Sequence, residues 1–322
     1  MNCISWNVQG LGNHRAFKKL EQLVAAEDPT LLFLCETKLV AGQCRNFKSK
    51  LGFEGCYIQD CVGRKGGLIL LWKAVLNVEI KSSSSDHIDA AISHDLCSWR
   101  FTGFYGNSMV DQRKFSWQLL EKLSTLTELC HLPWLVGGDF NEILLDNEKL
   151  GGRPRILQQM RDFQGTLDYC RLKDLSFFGE KFTWANRKDE LTFVQARLDR
   201  FVGELAWRRL FPRVKVTNLQ FYHSDHRAIK VLLGGSSVWV TKSPLSSRSR
   251  RFYFKEAWVT YDECRNLVES TWQESGIGVD VDQVVARLNL CAEKTGAWGN
   301  HKFWKIRREI VKLQKEIEGK KN

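Results

Sequence analysis

Apolar residues in the first 235 positions follow two alternating spacings, one typical of strands and one typical of helices. Short, unbroken apolar runs predict strands buried on both faces, and the clearest are Cys3–Val8, Leu31–Glu36 and Trp134–Phe140. Further strand-like segments are Gly67–Trp72, Val78–Lys81, Trp99–Tyr105, Phe182–Asn186, Arg197–Val202 and Ala228–Leu233. Three amphipathic helices are predicted by apolar stripes at Phe17, Leu20 and Val24, at Phe115, Leu119, Leu123 and Leu126, and at Ile156, Met160, Phe163 and Leu167. Alternation of strands and helices is typical of the α/β class.

The pattern changes after residue 235. Gly, Ser and Pro are concentrated in Gly234–Ser237 and Ser243–Ser249, which predicts a linker. Only helical spacing follows, and it ends in an apolar seam over residues 303–317 with steps of three and four. We therefore expect a domain over 1–235 and a linker with a helical connector over 236–322. The seam is short, so packing on its own domain is favoured over a helical contact between two chains, and the oligomeric state stays open.

The charge balance points to a polyanionic partner. Lys and Arg number 48 against 37 Asp and Glu, which gives a formal net charge of +11. A surplus of this size favours nucleic acid first and an acidic membrane surface second. No apolar run approaches the ~20 residues of a membrane helix, so no integral membrane protein is expected.

The cysteines and the N-terminus bear on the compartment. The ten cysteines are scattered without a Cys-x-x-Cys pair, and most lie in apolar runs. They are therefore expected to be reduced and buried, and no zinc site is expected. The N-terminus shows no secretory signal. Together these features predict a nuclear or cytoplasmic protein that is not secreted.

Polar residues stand at the ends of three predicted buried strands. Asn7 ends the first, Glu36 ends the second and Asp139 ends the Trp134 strand. Ligands gather at the carboxyl ends of strands in open α/β sheets, and a carboxylate buried there needs a cationic partner. Oxygen donors of this kind suit Mg²⁺ or Mn²⁺. The alternative is that each carboxylate caps the turn that follows it.

A polar cluster precedes the last predicted strand of the domain. It reads His223-Ser224-Asp225-His226-Arg227. A His with a pKa near neutrality is the usual general acid or base, and it is normally oriented by a carboxylate. Asp199 is the candidate for that carboxylate. A solvated loop would explain either histidine equally well.

Seven short blocks, taken in order, resemble the endonuclease/exonuclease/phosphatase family, which includes DNase I and the apurinic endonucleases. The blocks are Ser5–Leu11, Leu34–Lys38, Phe104–Asn107, Gly137–Asn141, Phe182–Trp184, Arg197–Arg200 and Ser224–Arg227. The resemblance implies a DNase I-like fold, a four-layer α/β/β/α sandwich. Within the family, the blocks look most similar to the endonuclease domain of plant LINE-type retrotransposons.

The resemblance also implies a metal side of the site. Glu36 would be the main metal ligand, with Asn7 beside it, and Asp225 would complete that side. Asp139 would position or deprotonate the attacking water. The implied cofactor is Mg²⁺, with Mn²⁺ as a second choice, and one or two metals both stay open. Gln9 stands where apurinic endonucleases have an Asp, which argues against abasic-site repair as the main role.

Other residues are implied to contact the phosphate or the DNA. Asn141 would hold the phosphate and a ligand water, and Tyr105 would contact the phosphate or the leaving oxygen. His226, oriented by Asp199, would bind the scissile phosphate or act as the base, and the choice of base between it and Asp139 stays open. The implied substrate-binding residues are Thr183, Ser224 and Asn107, the last with its position uncertain by one residue.

The expected function is therefore a Mg²⁺-dependent endonuclease that nicks one strand of DNA, as retrotransposons do for target-site insertion. A phosphomonoesterase or phospholipase of the same superfamily is an alternative, since a fold does not fix its substrate. A non-enzymatic nucleic-acid-binding relic of a retroelement is another. The intact Glu36, Asp139 and His226 argue against the relic, because drift would be expected to alter at least one site residue.

Overall fold

The computed structural model divides the chain into two compact units, residues 1–240 and 241–322. The described residues are 1–44, 46–63, 65–95, 97–126, 131–186, 192–222, 224–234, 258, 260–274, 288, 290, 291, 294, 295, 298 and 302. The seam at 303–317 and the linker residues 235–257 lie outside them. The predicted domain boundary after residue 235 therefore stays a prediction.

Three β-sheets make up the first unit. The strands are β1 (Asn2–Asn7), β2 (Leu31–Cys35), β3 (Gly55–Val62), β4 (Lys65–Trp72), β5 (Asn77–Ser84), β6 (His87–His94), β7 (Cys97–Tyr105), β8 (Trp134–Asp139), β9 (Lys149–Leu150), β10 (Lys173–Asp174), β11 (Phe178–Gly179), β12 (Trp184–Ala185), β13 (Gln195–Ala196), β14 (Asp199–Gly203), β15 (Lys215–Asn218) and β16 (Ile229–Leu232). A seven-stranded sheet has the order β11-β15-β16-β1-β2-β4-β3, and a six-stranded sheet has the order β10-β14-β8-β7-β6-β5. Strands β12, β13 and β9 form a small third sheet.

Along the chain, the helices of the first unit lie between strands. They are α1 (His14–Glu27), α2 (Phe47–Leu51), α3 (Arg113–Ser124), α4 (Leu157–Tyr169) and α5 (Leu205–Leu210), and the second unit contributes α6 (Asp262–Glu274). Helix α1 begins at Asn13, whose side chain accepts a hydrogen bond from the Ala16 amide, because the first amides of a helix have no internal partner. No helix among the described residues is long and apolar enough to cross a membrane.

The apolar core has three layers, which define the sandwich. The central layer contains Phe33 of the seven-stranded sheet and Phe101 of the six-stranded sheet, both fully buried. A second layer packs α1 on the outer face of the seven-stranded sheet, and a third packs α3 and α4 on the outer face of the six-stranded sheet. All five residues of β2 are fully buried, as expected for a strand covered on both faces. The order is helix, sheet, sheet, helix, so the predicted four-layer fold is confirmed.

The structure corrects several details of the predicted elements. The stripe predicted for α3 is only partly correct. Leu123 is buried and Leu119 packs against the core, whereas Phe115 and Leu126 are 52% and 38% exposed. The sequence pattern does not predict β3, β6 or β15, nor the two-residue strands β9, β10, β11 and β13. Strand β6 has no long unbroken apolar run, because it carries a buried aspartate, Asp89. This residue accepts hydrogen bonds from Arg100 and Thr102 of the next strand. The strand expected over Phe182–Asn186 shortens to β12.

Strand directions bring several strand ends to one edge of the sandwich. Strands β1 and β2 are parallel, and so are β7 and β8. Strand β14 runs antiparallel to β8, so that Asp199 at its start pairs with Asp139 at the end of β8. Strand β16 runs antiparallel to β1, which places the preceding segment with His226 near the end of β1. The topology therefore collects the strand-end residues in one place.

The close approach of the two sheets at Gly103 gives a test of the fold. A Cβ atom there would lie 2.3 Å from a ring carbon of Phe33 in the opposite sheet. Gly103→Ala should therefore lower the free energy of unfolding by about 1–3 kcal/mol through overpacking. The matched control is Gly165→Ala in α4, where a Cβ atom meets nothing within 4 Å. This substitution should raise the free energy of unfolding by about 0.5–1 kcal/mol. Urea unfolding of both variants checks the opposite signs, and equal midpoints would contradict the tight sheet packing.

Candidate active site

Four strand ends place polar side chains across the gap between the two large sheets. Asn7 and Glu36 come from the ends of β1 and β2, and Tyr105 and Asp139 come from the ends of β7 and β8. The Asn7 side-chain amide donates to the Asp139 carboxylate at 3.0 Å, and the Tyr105 hydroxyl donates to the Glu36 carboxylate. Each of these hydrogen bonds joins one sheet to the other. The structure thus brings these four predicted site residues together.

The loops after these strands use backbone conformations that are rare for side chains other than glycine. Gln9, Glu36 and Asn141 have φ angles of 53°, 55° and 54°. The Asn141 amide donates to Asp139 at 2.9 Å, and its side chain donates to the Gly106 carbonyl at 2.7 Å. Left-handed positions of this kind cost of order 1 kcal/mol and concentrate at functional sites. Hydrogen bonding therefore fixes the backbone that presents Asn141 beside Asp139.

His226 lies between two carboxylates. Its Nδ1 is 2.9 Å from Asp199 Oδ2, and its Nε2 is 3.7 Å from Asp139 Oδ2. The imidazole is fixed from the backbone side as well, because the His226 carbonyl accepts a hydrogen bond from the Trp6 indole and its amide donates to Ser224 Oγ. All three members of the cluster are at most 3% exposed. The predicted pairing of His226 with Asp199 is present in the structure.

Burial and charge pull the pKa values of this cluster in different directions. Burial lowers the pKa of His226, but the charges of Asp199 and then Asp139 outweigh it and raise that pKa to about 10. Burial raises the pKa of Asp139, although the His226 charge opposes the shift. The pKa of Tyr105 is raised by burial and by the charges of Glu36 and Asp139. At neutral pH His226 is therefore a cation and Tyr105 a neutral hydrogen-bond donor.

The predicted substrate-binding residues lie deeper than expected. Thr183 is fully buried, and its hydroxyl accepts hydrogen bonds from the amides of Leu198 and Asp199 at 3.0 Å each. Ser224 is 2% exposed, and its hydroxyl accepts a hydrogen bond from the His226 amide. Neither side chain is exposed, and a role of either in substrate binding stays a prediction. Both hydroxyls hold the backbone that carries the His–Asp pair.

Asn107 and Asp225 lie on opposite flanks. The Asn107 side chain accepts a hydrogen bond from the Met109 amide, and the Asn107 backbone amide donates one to Ser116 Oγ. Asn107 therefore stabilises the turn before α3. Asp225 accepts hydrogen bonds from the Trp184 indole at 2.9 Å and from the Gln9 side chain at 3.3 Å. Sequence reasoning gave no role to Trp184 or to Gln9 as a donor. The Phe182–Trp184 block contained the signal, since a half-buried indole N–H needs an acceptor.

The donor set suits a hard divalent cation. Glu36 offers carboxylate oxygens on a side chain that is 17% exposed, and Asn7 offers an amide oxygen at the adjacent strand end. Carboxylate, amide and water oxygens are the ligands that Mg²⁺ prefers. Ligand atoms of Asp139, Asp199 and His226 also lie within 4.8 Å of one another. In this second cluster, however, His226 Nδ1 is already hydrogen-bonded to Asp199. The cluster is therefore better suited to orienting the imidazole and its proton than to binding a metal.

The His226–Asp199 pair can be tested by titration of metal-free protein. Asp199→Asn removes the largest charge that raises the His226 pKa, so that pKa should fall by about 1–3 units. In the wild type, the stabilisation from charged His226 should be complete below pH ~6.5 and lost as the pH rises through the folded pKa. Imidazole NMR signals measure the pKa directly, with the exposed Asp111→Asn as the control. Identical His226 titration in wild type and Asp199→Asn would contradict the pairing.

Comparisons with known proteins agree with this geometry. In solved structures, the chain is similar to the endonuclease domain of TRAS1, a telomere-specific non-LTR retrotransposon, with 14% identity, a TM-score of 0.53, and coverage of 72% of this chain and 97% of that one. It is also similar to the 3′ phosphatase NExo from Neisseria bound to a product DNA hairpin, with 17% identity, a TM-score of 0.56, and coverage of 73% and 99%. An AP endonuclease from Leishmania major matches with 18% identity, a TM-score of 0.54, and coverage of 71% and 86%.

At these identities the structural neighbours show the fold alone. No curated protein matches the sequence. A family model does match, over residues 4–250, which is more than three quarters of the chain. The strand-end carboxylates and the His–Asp pair lie within the residues that the family model matches. The chain is therefore a member of the Endonuclease/Exonuclease/phosphatase family.

Proposed function

We propose that this protein is a divalent-metal-dependent DNA endonuclease that nicks one strand. The observation that carries the proposal is the buried His226, which lies between the carboxylates of Asp199 and Asp139 next to the Glu36–Tyr105 pair. A cation, a carboxylate and neutral donors arranged around one point match the needs of phosphodiester hydrolysis. Hydrolysis of phosphate esters is also the chemistry that the family name describes.

Glu36 would hold the metal, with Asn7 beside it and Asp225 on the same side. Family members typically depend on a divalent metal, and the oxygen donors fit Mg²⁺ or Mn²⁺. When bound, such an ion neutralises charge that develops on the phosphate oxygens. Lys38 Nζ, 3.6 Å from Glu36, keeps that carboxylate from being an isolated anion.

The protein's own residues divide the remaining tasks. Because the pKa of His226 is raised to about 10, the ring is already protonated at neutral pH and suits binding of the scissile phosphate better than acceptance of a proton. Asp139 is then the better candidate to position and deprotonate the attacking water, since burial raises its pKa and makes it more basic. Asn141 would hold the phosphate, and Tyr105 would contact the phosphate or the leaving oxygen. Asp199 would orient His226.

The substrate proposal rests on charge and on the resemblance to retroelement endonucleases. A net charge of +11 supplies sequence-independent affinity for phosphates. The short motifs look like those of plant LINE-type elements, which suggests target-site nicking in the nucleus as the biological role. Hydrolysis of a phosphomonoester by the same site is the second candidate, because nothing in the arrangement of these residues requires a diester.

Glu36→Gln should separate catalysis from binding. The change keeps the shape of the side chain but removes its charge, so plasmid nicking in Mg²⁺ should fall by ~10² or more while DNA binding persists. The matched control is Glu79→Gln on β5, whose side chain is 68% exposed. Relaxed plasmid is quantified with and without EDTA, and a 3′-phosphorylated oligonucleotide is tested in parallel. Nicking by Glu36→Gln at the wild-type rate would refute the metal assignment, and phosphate release without nicking would favour the phosphomonoesterase.

A further inference from the structure

A buried ion-pair cluster lies directly behind Asn141. Its centre is Glu142, which is fully buried. Arg113 Nη1 donates to Glu142 at 2.7 Å, and Arg155 Nε approaches the same carboxylate at 3.4 Å. Two arginines thus share one carboxylate. The cluster of Glu142, Arg113 and Arg155 carries a net charge of +1.

The more exposed arginine of the cluster lies next to the candidate active site. Arg113 is 4% exposed, whereas the Arg155 side chain is 18% exposed. Arg155 Nη2 lies 3.5 Å from the carbonyl oxygen of Asn141, and its charge interacts with that of Asp139. Arg155 is therefore the member of the cluster that a ligand next to Asn141 can reach.

Neutralising Glu142 does not require Arg155. The bond from Arg113 is short and charge-assisted, and it satisfies one carboxylate oxygen, while the Ile143 amide donates to the other at 2.9 Å. A second arginine at this place adds repulsion: burial and the neighbouring Arg113 charge lower the pKa of Arg155. An anion beside Arg155 would relieve that repulsion.

The loop that carries Arg155 is fixed in place before any ligand binds. Lys149 Nζ donates to the carbonyls of Gly151 and Arg153. Gly151 has a φ of +79°, and a Cβ there would lie 2.2 Å from the Phe193 carbonyl oxygen. A preorganised loop loses little conformational entropy when its arginine binds a ligand. Guanidinium groups are planar and match two phosphate oxygens at once.

We propose that Arg155 forms a subsite for a backbone phosphate of the bound DNA strand, next to the phosphate held by Asn141. Glu142 and Arg113 are positioning residues that hold the guanidinium in place. The inference rests on the proposed nuclease function for its substrate, but the binding measurement below needs no cleavage.

The test compares Arg155→Gln with Arg153→Gln, which removes an exposed arginine from the same loop. Binding of a fluorescein-labelled DNA duplex is measured by anisotropy in EDTA at several salt concentrations. Arg155→Gln should weaken binding about tenfold and lower the slope of log K against log salt by about 1, the value for one lost phosphate contact. Arg153→Gln should keep the wild-type slope. Arg155→Lys should keep the slope, because the charge remains, but lose part of the affinity.

Kinetics separate a binding role from a purely structural one. If Arg155 contacts the phosphate equally in the ground state and the transition state, Arg155→Gln raises KM for nicking and leaves kcat nearly unchanged. The proposed subsite is overturned if Arg155→Gln is folded, with a wild-type thermal midpoint, and its salt slope for DNA binding matches that of Arg153→Gln. If the wild type binds duplex with an Arg155-dependent slope but never nicks, the catalytic proposal fails and the phosphate subsite stands.

Discussion

The site depends on one physical constraint, the burial of the Asp139 carboxylate. This group is 1% exposed, and a charge removed from water to that extent must be compensated by hydrogen bonds and an opposite charge. Asn7 from the opposite sheet and the Asn141 amide supply the hydrogen bonds, and His226 supplies the charge. The hydrogen bond from Asn7 to Asp139 also joins the end of β1 to the end of β8. The packing of the two sheets and the assembly of the site therefore depend on the same contact.

The outer face of the six-stranded sheet shows the same principle with other residues. Arg197 and Arg200 flank Asp199 along the chain and pair with Glu148 and Asp174. Burial alone would raise the pKa values of these two carboxyls, but the arginines lower both below their usual range. These ion pairs tie the turn before β9 and the strand β10 to β14. The start of β14, and with it Asp199, is therefore held from behind as well as through the Thr183 hydroxyl.

Much of the fold and of the site was predictable because the signals are local. Apolar runs such as Leu31–Cys35 are fully buried strands, and a carboxylate at the end of such a strand, such as Asp139, needs a partner. What could not be predicted depends on which residue meets which across the fold. Strand β6 hides an aspartate that is neutralised by Arg100, and Thr183 turns its hydroxyl to the backbone of β14. Glu142 and Arg155 are separated by thirteen positions, and no spacing indicates that they pair.

Charge balance supports the proposed divalent cation. The site and the ion-pair cluster beside it hold five carboxylates and four cations. The carboxylates are those of Glu36, Asp139, Glu142, Asp199 and Asp225, and the cations are His226, Lys38, Arg113 and Arg155. The site alone thus carries one net negative charge, and a phosphodiester brings another. Two like charges in a partly buried place repel strongly because the local dielectric is low. An ion of charge +2 balances both, whereas a further fixed lysine or arginine would leave one charge unmatched and would persist after the product leaves. The removable divalent cation that we propose would therefore admit the substrate without making the empty site a permanent trap for phosphate.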